Sequence, residues 1–342
     1  MALFLAQAGR LADEQRFTDL AERAAAGLAD RVLEHRIPGE RIGAFTGWAG
    51  LLYTFGHLGA LWQTRRFAPV VDTALARIVA LAGTDQAADL VDGYAGAVLA
   101  VSRAGLDPER VEPAVRAAAR RLRVAADRYP HPTGAPTGAP LGGLSHGSAG
   151  IAAALAQAGQ ATGDPGYAEA AARALAYDRS LFRPEQANWA DLRRPGQSTV
   201  TWCHGAPGIG LSRLLVRDAL GADETLDAEI STAVGTTLAT GFGRNHSLCH
   251  GDLGNLDLLL AAAPQHAPAP AAAVLRDGLA SGWRCANPTA LATPELMTGL
   301  SGIGLALLRL AAPERVPSVL LLAPPTDART STADIRRRQW AA

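Results

Sequence analysis

Two stretches one repeat apart decide how this chain is read: TWCHGAPGIGLSRLL at residues 201–215 and SLCHGDLGNLDLLL at residues 247–260. Each sets Cys-His-Gly ahead of a second glycine, and an apolar run follows. The glycine frame recurs as TGWAGLLYTF at Gly47/Gly50, DGYAGAVLAV at Gly93/Gly96, HGSAGIAAAL at Gly147/Gly150 and TGLSGIGLALLRL at Gly299/Gly302. Successive copies lie 46, 54, 58, 46 and 48 residues apart, the size of a two-helix hairpin repeat.

The segment after each glycine pair is rich in Ala and Leu, as expected of a helix buried on most sides. Between these segments, stretches such as PAVRAAARRLRVAADR and YAEAAARALAYDRSLF mix charge with apolar residues at helical spacing, as outer amphipathic helices do. β-Branched and aromatic residues rarely alternate with polar ones, so the chain is predicted to be all-α. The glycines are expected to supply positive φ and close backbone approach at the turn into each inner helix. The Pro/Gly-rich stretch at residues 129–143 is expected to be a surface connection, and the chain after Pro313 a loosely ordered tail.

Residues 2–9, ALFLAQAG, match residues 152–159, AAALAQAG, at six of eight positions. Met1 therefore falls just after a missing glycine loop, and the chain is expected to start inside a repeat. With that partial copy there are seven inner helices, enough to close a ring. Its first inner helix is expected to lack both its N-terminal turn and the outer helix that should precede it. A chain extended upstream would then be more stable than this one.

Composition excludes several classes of function. The 32 basic residues balance 32 acidic ones, so no basic face favours nucleic acid or an anionic membrane. Every basic residue is Arg, which rules out Schiff-base and P-loop lysine chemistry. No basic N-terminal signal and no run of 18 apolar residues is present, and the expected location is cytoplasmic. Three cysteines, Cys203, Cys249 and Cys285, do not make a disulfide framework.

Because the glycine loops occupy equivalent places in successive repeats, their polar residues should converge at one end of the ring. Cys203, Cys249 and His250 then offer two thiolates and an imidazole, a set suited to Zn²⁺ with a fourth position open. The nearby helix N-termini favour deprotonated thiols. His146, in an equivalent loop without cysteine, suits proton transfer near neutrality. His204 follows a cysteine and faces the same cavity or the core. Cys285, His35, His57, His131, His246 and His266 are assigned to core, surface or structural roles.

The strings GGLSHGSAGIA, WCHGAPGIGLSRL, SLCHGDLGNLDLLL and PELMTGLSGIGLALLRLAAPERVPSVLLL resemble the LanC-like lanthionine synthetase cyclases, above all the C-terminal cyclase domain of class II LanM synthetases. The resemblance spans residues 2 to about 322. It implies a toroid with central zinc held by Cys203, Cys249 and His250, within residues 1–322, followed by a loose tail at 323–342. It implies addition of precursor-peptide cysteine thiols to dehydroalanine or dehydrobutyrine, giving (methyl)lanthionine rings. His146 matches the family's acid/base position, and Asp89 matches a family aspartate of the active site. His204 falls where LanM proteins carry His and stand-alone cyclases usually carry Tyr. The implied partners are a dehydrated precursor peptide and a separate or upstream-encoded dehydratase, whose activity this chain itself is not expected to have. Thr199 stands where stand-alone cyclases tend to carry a basic residue, so no arginine role carries over. Two other readings stay open: a LanC-like protein that binds thiol or glutathione without cyclising, and an inactive synthetase fragment.

Overall fold

Each apolar run that follows a glycine pair is a helix buried in the middle of the structure. The computed structural model describes residues 1–326 except 38, 85, 128–139, 195 and 288–290. Among the described residues there are seven inner helices: α1 (Ala2–Ala12), α3 (Trp48–Leu61), α5 (Tyr94–Ser102), α7 (Ser148–Thr162), α9 (Ala206–Leu220), α11 (Asp252–Ala262) and α13 (Leu300–Ala311). Each packs against the next, and α13 packs against α1, so the succession returns to its start as a toroid. In α7 every residue from Ser148 to Ala158 is buried. Six alanines there have no exposed surface, and side chains that small let neighbouring helices approach from all sides.

The outer helices are α2 (Gln15–Leu33), α4 (Ala68–Leu81), α6 (Pro108–Ala126), α8 (Pro165–Ser180), α10 (Glu224–Thr240) and α12 (Pro268–Ser281). Each packs on the inner helix just before it in the chain. The α6 helix buries Val111, Ala114, Val115, Ala118, Ala119, Leu122 and Ala126, one face at helical spacing. Strand is confined to two-residue β1 (Phe182–Arg183) and β2 (Asn188–Trp189), an antiparallel pair between α8 and α9. No described helix is long and apolar enough to cross a membrane.

Inner and outer helices solve the problem of their unpaired first N–H groups differently. Asp107, Asp164 and Asp223 cap α6, α8 and α10 with their carboxylates. The six inner helices after α1 each begin after a glycine, and in five of them the first N–H group donates to a loop carbonyl seven residues back. Trp48 donates to Arg41, Tyr94 to Ala87, Ser148 to Leu141, Asp252 to Asn245 and Leu300 to Thr293, all at 2.8–3.0 Å. In α9 the Asn188 side chain takes this place, accepting from the Ala206 N–H at 2.9 Å.

That cap demands glycine for closeness more than for a special torsion angle. A Cβ on Gly50 would lie 2.5 Å from the Ala44 carbonyl oxygen, and the second glycine of the other pairs meets the carbonyl six residues back in the same way. Positive φ, expected at every loop, occurs among the six N-cap glycines at Gly205 alone (φ 93°); the others are extended.

Two expectations about the chain ends are corrected. The α1 helix is not left without an outer partner, because outer helices follow their inner helices and α2 packs on it. The stretch after Pro313 is no loose tail as far as residue 326. Val316, Leu320 and Leu322 are buried at 1% exposure or less, because this apolar strap packs against the inner helices α3, α11 and α13. Tyr53 donates to the Ala323 carbonyl at 3.1 Å, Arg309 donates to the Val316 carbonyl, and Ser318 donates to Asp257. The rest of the expected tail at 323–342, from residue 327 on, His131 and most of the Pro/Gly-rich connection lie outside the described residues.

Gly254→Ala, which drives a methyl group into the Leu248 carbonyl, should lower stability by about 1–3 kcal/mol. Gly235→Ala, at an exposed position of α10 with open space around it, should raise stability by about 0.5–1 kcal/mol. Denaturant unfolding midpoints of the two variants check both signs.

Candidate metal and acid-base site

The loops ahead of the inner helices are joined to one another by their backbones. Phe45 N–H donates to Val91, Leu90 to Ser145, Ser145 to Cys203, Cys203 to Cys249 and Cys249 to Met297, at 2.8–3.2 Å. Except at Leu90, donor and acceptor stand two residues before a helix-capping glycine. The bonds therefore form a collar around the N-terminal end of the inner helices, with equivalent positions of successive repeats side by side.

The collar brings Cys203, Cys249 and His250 together, their ligand atoms all within 4.8 Å of one another. Among the described residues this is the one such group able to hold a metal ion. Two thiols and one imidazole are a soft donor set with zinc-like chemistry. The thiols share charge unequally: a hydrogen bond from Cys249, with others from His250 and Thr201, holds the Cys203 thiol far below its ordinary pKa despite its burial. The Cys249 thiol is pushed up by the same hydrogen bond to Cys203 and by burial. Thr201 Oγ1 lies 3.3 Å from Cys203 Sγ.

His146 stands on the turn before α7, and its Nδ1 is 2.6 Å from Asp89 Oδ2 in the preceding repeat. That hydrogen bond raises the imidazole pKa against an opposing desolvation. The side chain is 39% exposed, within reach of solvent. His204 stacks beside it with ring centroids 6.2 Å apart, but burial keeps its pKa down and leaves it neutral. Its Nε2 has no partner among the described residues.

Sequence reading did not anticipate a second layer of polar residues. Asp191, whose side chain is 1% exposed, is gripped by Arg193 through Nε at 2.9 Å and a second guanidinium nitrogen at 2.8 Å. Thr199 Oγ1 donates to the same carboxylate at 2.9 Å. Burial pushes the Asp191 pKa up, and hydrogen bonds from Arg193 and Thr199 overcome that and take it well below the carboxylate range. Charge on Cys203 and Cys249 acts on Arg193 in turn, so a guanidinium stands near the thiols although residue 199 is threonine. Its position ten residues before Cys203 carries no motif that could have revealed it.

The remaining candidates are structural. Cys285 is buried at 6% exposure. His246 is buried, accepts from the Arg284 N–H at Nδ1 and pairs with Asp277 at Nε2. His57 is buried against Tyr53, and desolvation pushes its pKa down to about 4. His35 and His266 are exposed.

The family described as "Lanthionine synthetase C-like protein" matches residues 1–321. The chain belongs to this family. Among solved structures it is similar to a protein named nisin cyclase, with a TM-score of 0.74 and 15% sequence identity, over 94% of this chain and 89% of that one. No protein of curated function matches it in sequence. As a lanthionine synthetase C-like protein with this toroid, the chain carries its cysteine and histidine loops at the N-terminal rim of the ring.

Since the His146 pKa is raised in the folded state, the His146–Asp89 pair contributes stability fully below the unfolded histidine value of about 6.5 and loses it as pH rises through the folded value. Asp89→Asn should lower the His146 imidazole pKa, as read by a histidine-resolved NMR titration. The same variant should flatten the dependence of unfolding midpoint on pH above the unfolded histidine value of about 6.5.

Proposed function

We propose that this protein is a zinc-dependent lanthionine cyclase, joining cysteine thiols of a precursor peptide to its dehydroalanine or dehydrobutyrine residues. The observation that carries this reading is the convergence of Cys203, Cys249 and His250 with a separate His146–Asp89 pair on one rim. Family membership and the likeness in fold to a protein named nisin cyclase support it.

The reaction forms one S–C bond at the β-carbon of the dehydro residue. The thiol loses its proton, the alkene electrons move toward the carbonyl as an enolate, and the α-carbon then gains a proton. Cys203, Cys249 and His250 would hold zinc, which when bound supplies the Lewis acidity that makes a thiol with a pKa near 8.5 available as thiolate at neutral pH. His204, neutral and with Nε2 unpartnered, takes the thiol's proton. His146, whose protonated form Asp89 favours and which is open to solvent, delivers a proton to the α-carbon. The proton gained by His204 balances the one given by His146, so passage of one proton between the two rings, 6.2 Å apart, restores both.

The dehydro residues must be made first by removal of water from Ser and Thr. A dehydratase, separate or encoded upstream, is the corresponding partner.

Purified protein should carry one zinc ion per chain, and Cys203→Ala and Cys249→Ala should each lose it in elemental analysis. His146→Ala should keep the metal and slow ring formation on a pre-dehydrated peptide by about 10²-fold, the scale of a lost general acid. Mass spectrometry after thiol alkylation measures it, and wild-type rates in that variant would remove the role.

A further inference from the structure

Behind the turn that carries His146 lies a fully buried ion pair that the proposed chemistry does not use. Asp178, on α8, and Arg213, on α9, both have side chains with no exposed surface and meet at 2.7 Å. The Arg213 Nε donates to Glu229 of α10 at 2.8 Å, and Glu229 is also held by Arg179. This network joins three consecutive helices around one guanidinium.

The other oxygen of Asp178 faces the turn. It accepts from the Gly143 N–H at 3.3 Å and from Ser148 Oγ at 2.8 Å. These two donors flank Ser145 and His146, so one carboxylate grips the turn before and after the imidazole. The turn also rests on the metal loop, where Ser145 donates to the Cys203 carbonyl from its N–H at 3.2 Å and from its Oγ at 3.0 Å. Gly143 adopts a positive φ of 91°, and a Cβ there would lie 3.0 Å from the Cys203 carbonyl and 3.1 Å from His204 Nδ1. There is little slack between the two loops.

A buried ion pair is a poor source of net stability, because desolvation consumes most of its Coulombic gain and apolar replacements are often as stable. Fixed geometry is what this one supplies. We propose that Asp178, itself held by Arg213, is a positioning residue that clamps the 143–148 turn and so fixes His146 against the Cys203 loop. The proposal deepens the cyclase reading and rests on it for its catalytic consequence. Misplacement by an ångström can cost about 10²-fold in rate, so a loosened clamp should be felt mainly in kcat.

The test uses the full chain with zinc bound. The double variant Asp178→Leu/Arg213→Met removes the clamp without leaving a lone buried charge, since Glu229 keeps Arg179. Ser148→Ala removes one clamp bond and no charge. The readings are unfolding midpoint, zinc content, amide hydrogen exchange of residues 143–147, and kcat and KM on a synthetic peptide bearing one dehydroalanine and one cysteine.

The double variant should fold, keep its zinc, exchange its 143–147 amides about 10-fold faster and lose about 10-fold in kcat, with KM little changed. Ser148→Ala should show the same pattern about 3-fold, and it decides the matter if the double variant does not fold. Wild-type exchange in a folded double variant, or in Ser148→Ala when the double variant does not fold, overturns the proposal. Exchange raised equally through α7, α8 and α9 overturns it too. If the wild-type chain forms no ring, the cyclase reading fails while local exchange still decides the clamp.

Discussion

The collar of backbone hydrogen bonds from Phe45 to Met297 is the constraint on which the rest of the structure depends. Each bond joins loops of neighbouring repeats, so no loop has its shape alone. Once the loop carbonyls also serve as caps for the inner helices, each loop must fold back tightly over its own helix start. Only residues without a Cβ tolerate that approach, which is why the glycine pairs recur even where the loops carry no chemistry. Side chains next to those glycines are thereby set around one rim without further design.

Electrostatics at the rim divide the labour. Buried carboxylates are spent on holding backbone and cations in place: Asp178 on the turn of His146, and Asp191 on Arg193. The partly exposed Asp89 instead meets an imidazole directly. Two histidines lying 6.2 Å apart are thus pushed in opposite directions, one toward the charged form by a carboxylate and the other toward the neutral form by burial. Such a divergence is the usual arrangement where one group gives a proton and another takes one.

The glycine spacing and the apolar runs made the ring of inner helices legible, because both are local patterns with a fixed period. The cysteines were legible because Cys-His-Gly occurs twice in equivalent places. Asp89 came into view by resemblance alone; as a residue it looks like any loop carboxylate. The Asp178–Arg213 pair and Arg193 were hidden, since their partners lie in other helices or in an irregular loop and no period marks them. The strap was misread for a related reason: proline and irregular spacing in VPSVLLLAPP hide a run of turns whose apolar side chains are buried against the inner helices.

That strap acts on the one seam of the ring where neighbours in space are far apart in the chain, the contact between α13 and α1. It is bonded to Asp257 of α11 and Arg309 of α13 on one side of the seam and to Tyr53 of α3 on the other, with Val316, Leu320 and Leu322 buried between. Every other junction between inner helices is also held by the short chain that links them. This one is buckled by a later segment of the same chain, so the ring closes fully only when that segment has docked.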